Sequence, residues 1–142
     1  MILADTGPLV ALFEPRDEAH RHCRDVLQQI REPLVSTLPV LTEAFHLLHP
    51  ASPGAGALQG FVGRGGLGVW FLDRAALIRA FELMHRYADH AMDLADASLV
   101  AAAEALRTTR VFTMDRRDFA TYRPRIGRSW RWFDVVGAGA FK

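Results

Sequence analysis

The run Met-Ile-Leu-Ala-Asp at residues 1–5 indicates the fold class of this chain, because four apolar residues lead directly into an acid. Apolar and polar residues do not alternate in it, which is typical of a strand buried on both faces. Comparable runs lie farther along the chain, at 34–37, 69–72 and 110–113, with a weaker one at 130–135. Stretches with helical periodicity separate these runs, at about 7–14, 17–31, 39–49, 55–63, 74–88, 94–107 and 116–122. This alternation predicts an α/β fold in which helices cover both faces of a parallel sheet.

The composition is that of a globular protein. The chain has 142 residues, of which 50% are apolar and 23% charged, and we expect a single domain over residues 1–142. A disordered or collagen-like chain is excluded. No apolar run reaches the roughly 18 residues that a membrane span needs, so we expect no membrane partner. Cys23 is the one cysteine, which excludes an intrachain disulfide and favours a cytoplasmic location.

Charge is distributed unevenly along the chain, although the net charge is +1. Residues 1–104 carry 8 basic and 13 acidic side chains, whereas residues 105–142 carry 9 basic and 3 acidic ones. Arginine supplies 16 of the 17 basic residues. Because arginine binds phosphate through two parallel hydrogen bonds, the C-terminal quarter suggests a polyanionic partner, and a solvated surface is the alternative.

Acidic residues follow two of the predicted strands. Asp5 comes directly after the first strand, and Asp115 comes after the fourth. Parallel sheets bind ligands beyond the carboxyl ends of their strands, so these two side chains are expected to meet in one crevice. Glu43 lies one turn into the helix after the second strand, on the border of its apolar stripe, where it would face the same crevice.

Asp96 occupies an unfavourable position for a carboxylate. Its helix is apolar almost all round, and Asp96 shares a stripe with Leu99, Val100 and Ala103. Burying an unpartnered carboxylate costs several kcal/mol, so this side chain needs a partner. Asp93, three residues earlier, lies near the same face.

Each acid also has a purely structural interpretation. Asp5, Asp93 and Asp115 suit helix N-caps, and Asp96 and Asp118 fall in the first turns of helices. Four acids at one edge of a sheet would nevertheless repel one another unless a cation neutralised them. Oxygen ligands suit Mg²⁺ or Mn²⁺, and the chain has no His-x-x-x-His or paired-cysteine spacing for zinc. The scattered histidines, His90 among them, are expected on helix surfaces.

Four short motifs carry these acids in order along the chain. They are Met-Ile-Leu-Ala-Asp-Thr at 1–6, Val-Leu-Thr-Glu-Ala at 40–44, Asp-Ala-Ser-Leu-Val-Ala at 96–101 and Thr-Met-Asp-Arg-Arg-Asp-Phe at 113–119. Together they resemble the pattern of PIN-domain proteins of the VapC type, the toxins of bacterial type II toxin–antitoxin pairs, over essentially the full length. Two acids compete for the third motif, and the Asp-Ala pair favours Asp96 over Asp93.

The resemblance implies a three-layer α/β/α sandwich with a central, mostly parallel sheet of four to five strands. It also implies an endoribonuclease that depends on one or two Mg²⁺ or Mn²⁺ ions. RNA would be its substrate, a cognate antitoxin its protein partner, and a homodimer its assembly.

The resemblance also assigns roles to individual residues. Asp5, Asp96 and Asp115 would ligate metal. Glu43 would bind it through water or orient the attacking water. Asp93 would be a fourth ligand or would support the ligands without touching the metal. Thr6, Thr113 and Asp118 are expected to support these carboxylates. The residues expected to hold RNA phosphates are Arg116, Arg117, Arg123 and Arg125.

Other motifs carry less weight. The Gly-x-Gly-x-x-Gly match at 63–68 precedes a predicted strand instead of following one, so we interpret Gly65-Gly66 as a turn that ends a helix. Asp-Thr-Gly at 5–7 matches a motif of aspartic proteases. Those proteins have an all-β fold, so the strong helical patterns of this chain disfavour that interpretation. A receiver domain needs a lysine late in the domain, and Lys142 is the sole lysine. An inactive PIN-fold module that binds RNA or a protein remains an alternative.

Overall fold

A five-stranded parallel sheet with helices on both faces forms the body of the protein. The structure is a computed structural model that describes residues 1–137. The sheet strands are β1 (Ile2–Ala4), β2 (Leu34–Thr37), β3 (Gly68–Trp70), β4 (Arg110–Phe112) and β7 (Asp134–Val136). The helices are α1 (Thr6–Phe13), α2 (His20–Gln29), α3 (Leu38–Leu48), α4 (Pro53–Gly63), α5 (Arg74–Arg86), α6 (Leu94–Leu106) and α7 (Arg116–Thr121), with a 3₁₀ turn at Ala88–His90. A separate two-stranded hairpin consists of β5 (Arg125–Ile126) and β6 (Ser129–Trp130).

The strand order is β3-β2-β1-β4-β7, and every neighbouring pair is parallel. Strand β1 lies at the centre, with Leu3 in register with Val35 on one side and Val111 on the other. The chain builds β2 and β3 on one side of β1 and then crosses to place β4 on the other. The carboxyl ends of β1 and β4 therefore flank the crevice where such sheets bind ligands. The predicted α/β/α architecture is confirmed.

The core explains the first run of sequence. Ile2, Leu3 and Ala4 are buried on both faces of β1, and a fully buried leucine contributes about 1.5–3 kcal/mol. Helix α6 packs against α3, α5 and the sheet, and eight of its residues are buried. Its alanines let it approach these neighbours closely, which carries Asp96 at its start toward the carboxyl end of the sheet.

The weak fifth strand predicted at 130–135 is wrong in its bounds. The structure divides this run between β6, which pairs antiparallel with β5, and β7, which pairs with β4. Gly127, with a φ of 65°, forms the tight turn that folds β6 back onto β5. The helix predicted at 17–31 is shorter than expected and begins at His20. The Asp17 carboxylate accepts a hydrogen bond from the Ala19 amide, which holds residues 17–19 in a turn before the helix.

The turn predicted at Gly65-Gly66, after the end of a helix, is confirmed. Helix α4 ends at Gly63, and Gly65 adopts a φ of 81° in the turn that follows. None of the helices within residues 1–137 is both long enough and apolar enough to span a bilayer.

Candidate active site

A pocket of about 580 Å³ lies beyond the carboxyl ends of β1 and β4, and we refer to it as the carboxylate pocket. It is lined by Asp5, Thr6, Gly7, Val10, Asp17, Glu43, Leu47, Asp93, Asp96, Met114, Asp115 and Asp118. Seven of these twelve described residues are acidic and none is basic. The six acids singled out in the sequence all line this pocket, as expected.

Asp5 both caps a helix and faces the pocket. Its Oδ1 accepts a hydrogen bond of 2.8 Å from the Thr6 amide at the start of α1. Its Oδ2 accepts one of 2.7 Å from the Thr113 hydroxyl. Burial nevertheless raises the pKa of Asp5 to about 6, and the charges of Asp115 and Glu43 act in the same direction. Capping α1 therefore does not prevent Asp5 from lining the pocket.

Asp96 has the partner that its apolar helix requires. The Tyr122 hydroxyl donates a hydrogen bond of 2.9 Å to Asp96 Oδ2. The pKa of Asp96 is raised to about 7, mainly by burial and in addition by the neighbouring charge of Asp93. Asp93 caps α6, since its Oδ1 accepts a hydrogen bond of 2.8 Å from the Asp96 amide.

Asp115 begins a chain of polar contacts that leads out of the pocket. It caps α7, and its Oδ1 accepts a hydrogen bond of 3.0 Å from the Asp118 amide. Asp118 Oδ1 lies 2.6 Å from His90 Nε2. Burial and the adjacent Asp115 raise the pKa of Asp118, against the opposing effect of His90. His90 is half-buried against Tyr122 and is not the helix-surface residue that we expected.

The two threonines expected beside the carboxylates behave differently. The Thr113 hydroxyl is buried and bonded to Asp5 as expected. Thr6 reaches Asp5 through its backbone amide, and its buried Oγ1 has no hydrogen-bond partner within residues 1–137. Among the described contacts, Thr6 therefore supports Asp5 through its backbone amide and not through its hydroxyl. Glu43 on α3 is half-buried at the pocket wall, as its border position predicted.

The donor set suits a divalent cation, although the side chains do not form a ready-made metal site. No group of three or more histidine, cysteine or acidic side chains within residues 1–137 is arranged to hold a metal ion. The pocket supplies oxygen donors, which Mg²⁺ and Mn²⁺ prefer. Burial is the main cause of the raised pKa values of Asp5 and Asp96, and the charges of neighbouring carboxylates raise them further. The unpartnered Thr6 hydroxyl is a further oxygen at this wall.

The four arginines singled out in the sequence lie outside the pocket lining. Arg116 and Arg117 are exposed at the start of α7, directly after Asp115. The Arg123 guanidinium donates to the carbonyls of Ala120 and Tyr122, and Arg125 lies in the β5–β6 hairpin. Only the first pair is therefore adjacent in sequence to a residue of the pocket.

Tyr122, His90 and Asp17 belong to the pocket or its support and were missed in the sequence. Tyr122 and His90 contact acids 26 and 28 residues away along the chain. Asp17 enters from the connection between α1 and α2. Local patterns carry no signal for such contacts, because they depend on how the elements pack.

Comparison with known proteins agrees with this architecture. The sequence matches the model of the PIN domain family over residues 2–123. It is 27% identical over 126 residues to the protein named Ribonuclease VapC26 of Mycobacterium tuberculosis, covering 87% of this chain and 93% of that protein.

Solved structures share the fold. The crystal structure of VapC20 of Mycobacterium tuberculosis, described as a sarcin–ricin loop cleaving toxin, superimposes with a TM-score of 0.78 at 17% identity. That match covers 92% of this chain and 100% of the other. A toxin–antitoxin complex from Klebsiella pneumoniae gives a TM-score of 0.63 at 20% identity, over 89% of this chain and 99% of the other.

The parallel sheet with helices on both faces defines an α/β protein, and the chain belongs to the PIN domain family. Within that family, the resemblance to VapC-type proteins that the four motifs indicated is confirmed.

Proposed function

We propose that this protein is a metal-dependent endoribonuclease that hydrolyses RNA phosphodiester bonds in the carboxylate pocket. The observation that carries the proposal is the convergence of Asp5, Glu43, Asp96 and Asp115 on one pocket at the carboxyl edge of the sheet. Membership of the PIN domain family and similarity to a protein named as a ribonuclease support it.

The proposal gives each acid a role. Asp5, Asp96 and Asp115 hold Mg²⁺ or Mn²⁺, as one ion or a pair. When bound, the metal supplies an activated water and stabilises the leaving oxygen of the phosphodiester.

The remaining residues of the pocket position these groups. Glu43 contacts the metal through water or orients the attacking water, and Asp93 is an additional ligand. Thr113 fixes the Asp5 carboxylate through its hydroxyl, and Asp118 supports Asp115 from the same helix turn. Arg116 and Arg117 hold the RNA phosphates beside the pocket.

In the cell, we propose that the protein is the toxin of a type II toxin–antitoxin pair. One structural relative is described as a toxin–antitoxin complex, which supports a protein inhibitor as partner. An acidic stretch of the inhibitor would bind the exposed arginines. An RNA substrate and the single buried Cys23 fit a cytoplasmic location.

We also propose that the protein is a homodimer. Leu38 and Leu47 on α3 are each 52% exposed, and Ile78 and Phe81 on α5 are each 48% exposed. These side chains lie in two stretches of the sequence, 38–48 and 77–84, that are rich in Leu, Phe and Met. One small sheet cannot cover all the apolar side chains of these stretches. A second copy of the chain would bury them. Phe45 on α3, by contrast, packs against the core.

Cleavage of a labelled RNA with Mg²⁺ or Mn²⁺, and again in EDTA, tests the nuclease proposal. We expect cleavage only with metal, and its loss in Asp5→Asn and Asp96→Asn. Asp89→Asn, an exposed acid outside the pocket, is the matched control and should cleave normally. Asp93→Asn in the same assay determines whether that acid is also a ligand.

Two outcomes would overturn the proposal. Cleavage undiminished in EDTA, by a preparation that loses no activity on repurification, would exclude the metal mechanism. Binding of RNA without cleavage under any metal would indicate an inactive PIN-fold module.

A further inference from the structure

The β5–β6 hairpin presents two exposed tryptophans on the surface of the protein. Trp130 is 42% exposed at the end of β6, and Trp132, two residues later, is 70% exposed. A single exposed apolar residue needs no explanation, but two adjacent large aromatic rings outside the core do.

Arginine side chains pack against both rings. The Arg123 Cζ lies 3.3 Å from the centre of the Trp132 ring. The Arg86 Cζ lies 4.2 Å from the centre of the Trp130 ring, and the Arg125 Cζ lies 5.9 Å from it. These cation–π contacts hold the rings in place and leave much of each ring open to solvent. We call these five residues the tryptophan platform.

The hairpin is fixed to the helices behind it. The Arg125 amide donates a hydrogen bond of 2.7 Å to Glu104 on α6, and the Arg123 amide donates one of 3.0 Å to the Tyr87 hydroxyl. The Arg131 amide closes the base of the hairpin through the Pro124 carbonyl at 2.9 Å. The platform is therefore preorganised, which reduces the entropy lost when a ligand binds.

The segment that carries the hairpin has charged side chains of positive sign only. Residues 119–133 include four arginines and no acid. These are Arg123, Arg125, Arg128 and Arg131. Within residues 1–137, none of the four side chains forms a salt bridge with a carboxylate. Their charge is thus available to a polyanion.

We propose that the tryptophan platform binds single-stranded RNA, with unpaired bases stacked on Trp130 and Trp132 and phosphates held by the surrounding arginines. Aromatic rings interleaved with basic side chains are the arrangement that binds single strands without sequence preference. Duplex RNA does not expose its base faces, so it does not fit this surface. The inference rests on the proposed ribonuclease function and names the form of RNA that it takes.

Three of the five platform residues, Arg125, Trp130 and Trp132, lie beyond the family match. The match to the PIN domain model ends at residue 123, before the hairpin begins. The two sites are nevertheless connected, because Tyr122, which bonds Asp96 in the carboxylate pocket, directly precedes Arg123. A single-stranded RNA bound to the platform would thus be held on the same domain as the carboxylate pocket.

Fluorescence anisotropy with a labelled uridine-rich RNA decamer, measured in EDTA so that nothing is cleaved, tests the platform. We expect Trp132→Ala and Trp130→Ala each to raise the Kd about 5- to 150-fold, the range that corresponds to the loss of one base stacked on an aromatic ring. Trp132→Phe, which keeps a ring, should restore most of the affinity. Phe71→Ala is the matched control, because Phe71 is 67% exposed and follows β3 at the far edge of the sheet.

Two further measurements separate base stacking from charge and from loss of folding. Inorganic polyphosphate, which has no bases, should bind the tryptophan variants as tightly as the wild type, and Arg123→Ala and Arg125→Ala more weakly. Circular dichroism melting checks the fold of each variant. Should an alanine variant unfold, quenching of tryptophan fluorescence by the decamer in the wild type decides, and absence of quenching would overturn the proposal.

The outcomes distinguish this proposal from the ribonuclease proposal. Unchanged RNA affinity in both alanine variants, or equal binding of a duplex of the same length, would overturn the platform and leave the nuclease intact. Tryptophan-dependent binding without any metal-dependent cleavage would support the platform and overturn the nuclease. If both proposals hold, Trp132→Ala should raise the KM for RNA more than it lowers kcat.

Discussion

The Thr113 hydroxyl joins Asp5 and Asp115 at the ends of two neighbouring strands. It donates a hydrogen bond of 2.7 Å to Asp5 Oδ2 and accepts one of 2.9 Å from the Asp115 amide. Thr113 is fully buried, so water does not substitute for either contact. One side chain thereby fixes the relative positions of the acids that follow β1 and β4.

Replacing Thr113 with valine, which has the same shape, should impair cleavage more than folding. We expect kcat to fall about 10- to 100-fold, as for other residues that orient metal ligands. The free energy of unfolding should fall by about 1–3 kcal/mol, because the Asp115 amide loses its partner. Thr121→Val is the control, since that exposed hydroxyl bonds the Arg117 carbonyl on α7. Wild-type cleavage by Thr113→Val would show that the hydroxyl does not position Asp5.

Removing the charge of Asp96 should stabilise the metal-free protein at neutral pH. The pKa of Asp96 is raised to about 7 from 3.8, so the folded state binds a proton that the unfolded state releases. Asp96 therefore does not lower the free energy of unfolding below about pH 4, and lowers it increasingly as the pH rises from about 4 toward 7. Asp96→Asn removes this decline. At pH 7.5 we expect the free energy of unfolding of the variant to exceed that of the wild type by about 1–3 kcal/mol, a value already reduced for solvent screening in the pocket. At pH 4 the two free energies should be equal.

Denaturation in EDTA at the two pH values measures this difference, with Asp89→Asn as the exposed control. Adding Mg²⁺ should reverse the order, because metal that binds only the folded wild type stabilises it increasingly as the metal concentration exceeds the Kd, and the variant lacks this binding. A stability loss in Asp96→Asn at pH 7.5 would show that the carboxylate has a structural role instead.

Much of the sheet and of the pocket is predictable from the sequence because both depend on local pattern. The uninterrupted apolar run at 1–4 identifies a central strand, and Asp5 follows it at the edge where parallel sheets bind ligands. Asp96 is conspicuous because a carboxylate within an apolar helix needs a partner. Glu43 is placed by the helical period alone.

The partners of these acids are not predictable in this way. Tyr122 reaches Asp96, and His90 reaches Asp118, only because α7 and the turn before α6 pack together. The hairpin was missed for a related reason. Trp130 has a high strand propensity, but the turn at Gly127 directs it away from the main sheet, and the aromatic run then divides between two sheets.

Light scattering at micromolar concentration tests the homodimer. The chain has a mass of 15.8 kDa, so a dimer would have about twice that value. Phe81→Glu and Leu47→Glu place a charge on the exposed apolar faces of α5 and α3, and at least one should shift the mass toward the monomer because a buried unpaired charge is strongly unfavourable. Phe71→Glu is the exposed control. A wild-type mass near 16 kDa would contradict the dimer.

Co-expression tests the toxin role separately. We expect the protein alone to arrest growth, and the product of a neighbouring reading frame to relieve the arrest by binding the toxin. Asp5→Asn should not arrest growth, because it lacks a proposed metal ligand, and it should still bind the inhibitor if the exposed arginines are part of the contact. Arrest that the neighbour fails to relieve would count against the pairing.

Tyr122→Phe should separate the support of Asp96 from the packing of the core. The substitution keeps the buried ring, which contacts Phe119 and Tyr87 edge to face, and removes the hydroxyl that holds Asp96 Oδ2. We expect a 10- to 100-fold loss of Mn²⁺ affinity or of kcat, measured by metal titration of the cleavage rate. The KM for RNA should change little, because Tyr122 is fully buried and does not contact the substrate. Tyr87→Phe is the matched control, since its hydroxyl accepts from the Arg123 amide and does not contact the pocket acids. Equal losses in the two variants would indicate a general effect on packing, whereas a loss confined to Tyr122→Phe would identify the hydroxyl as the group that positions Asp96.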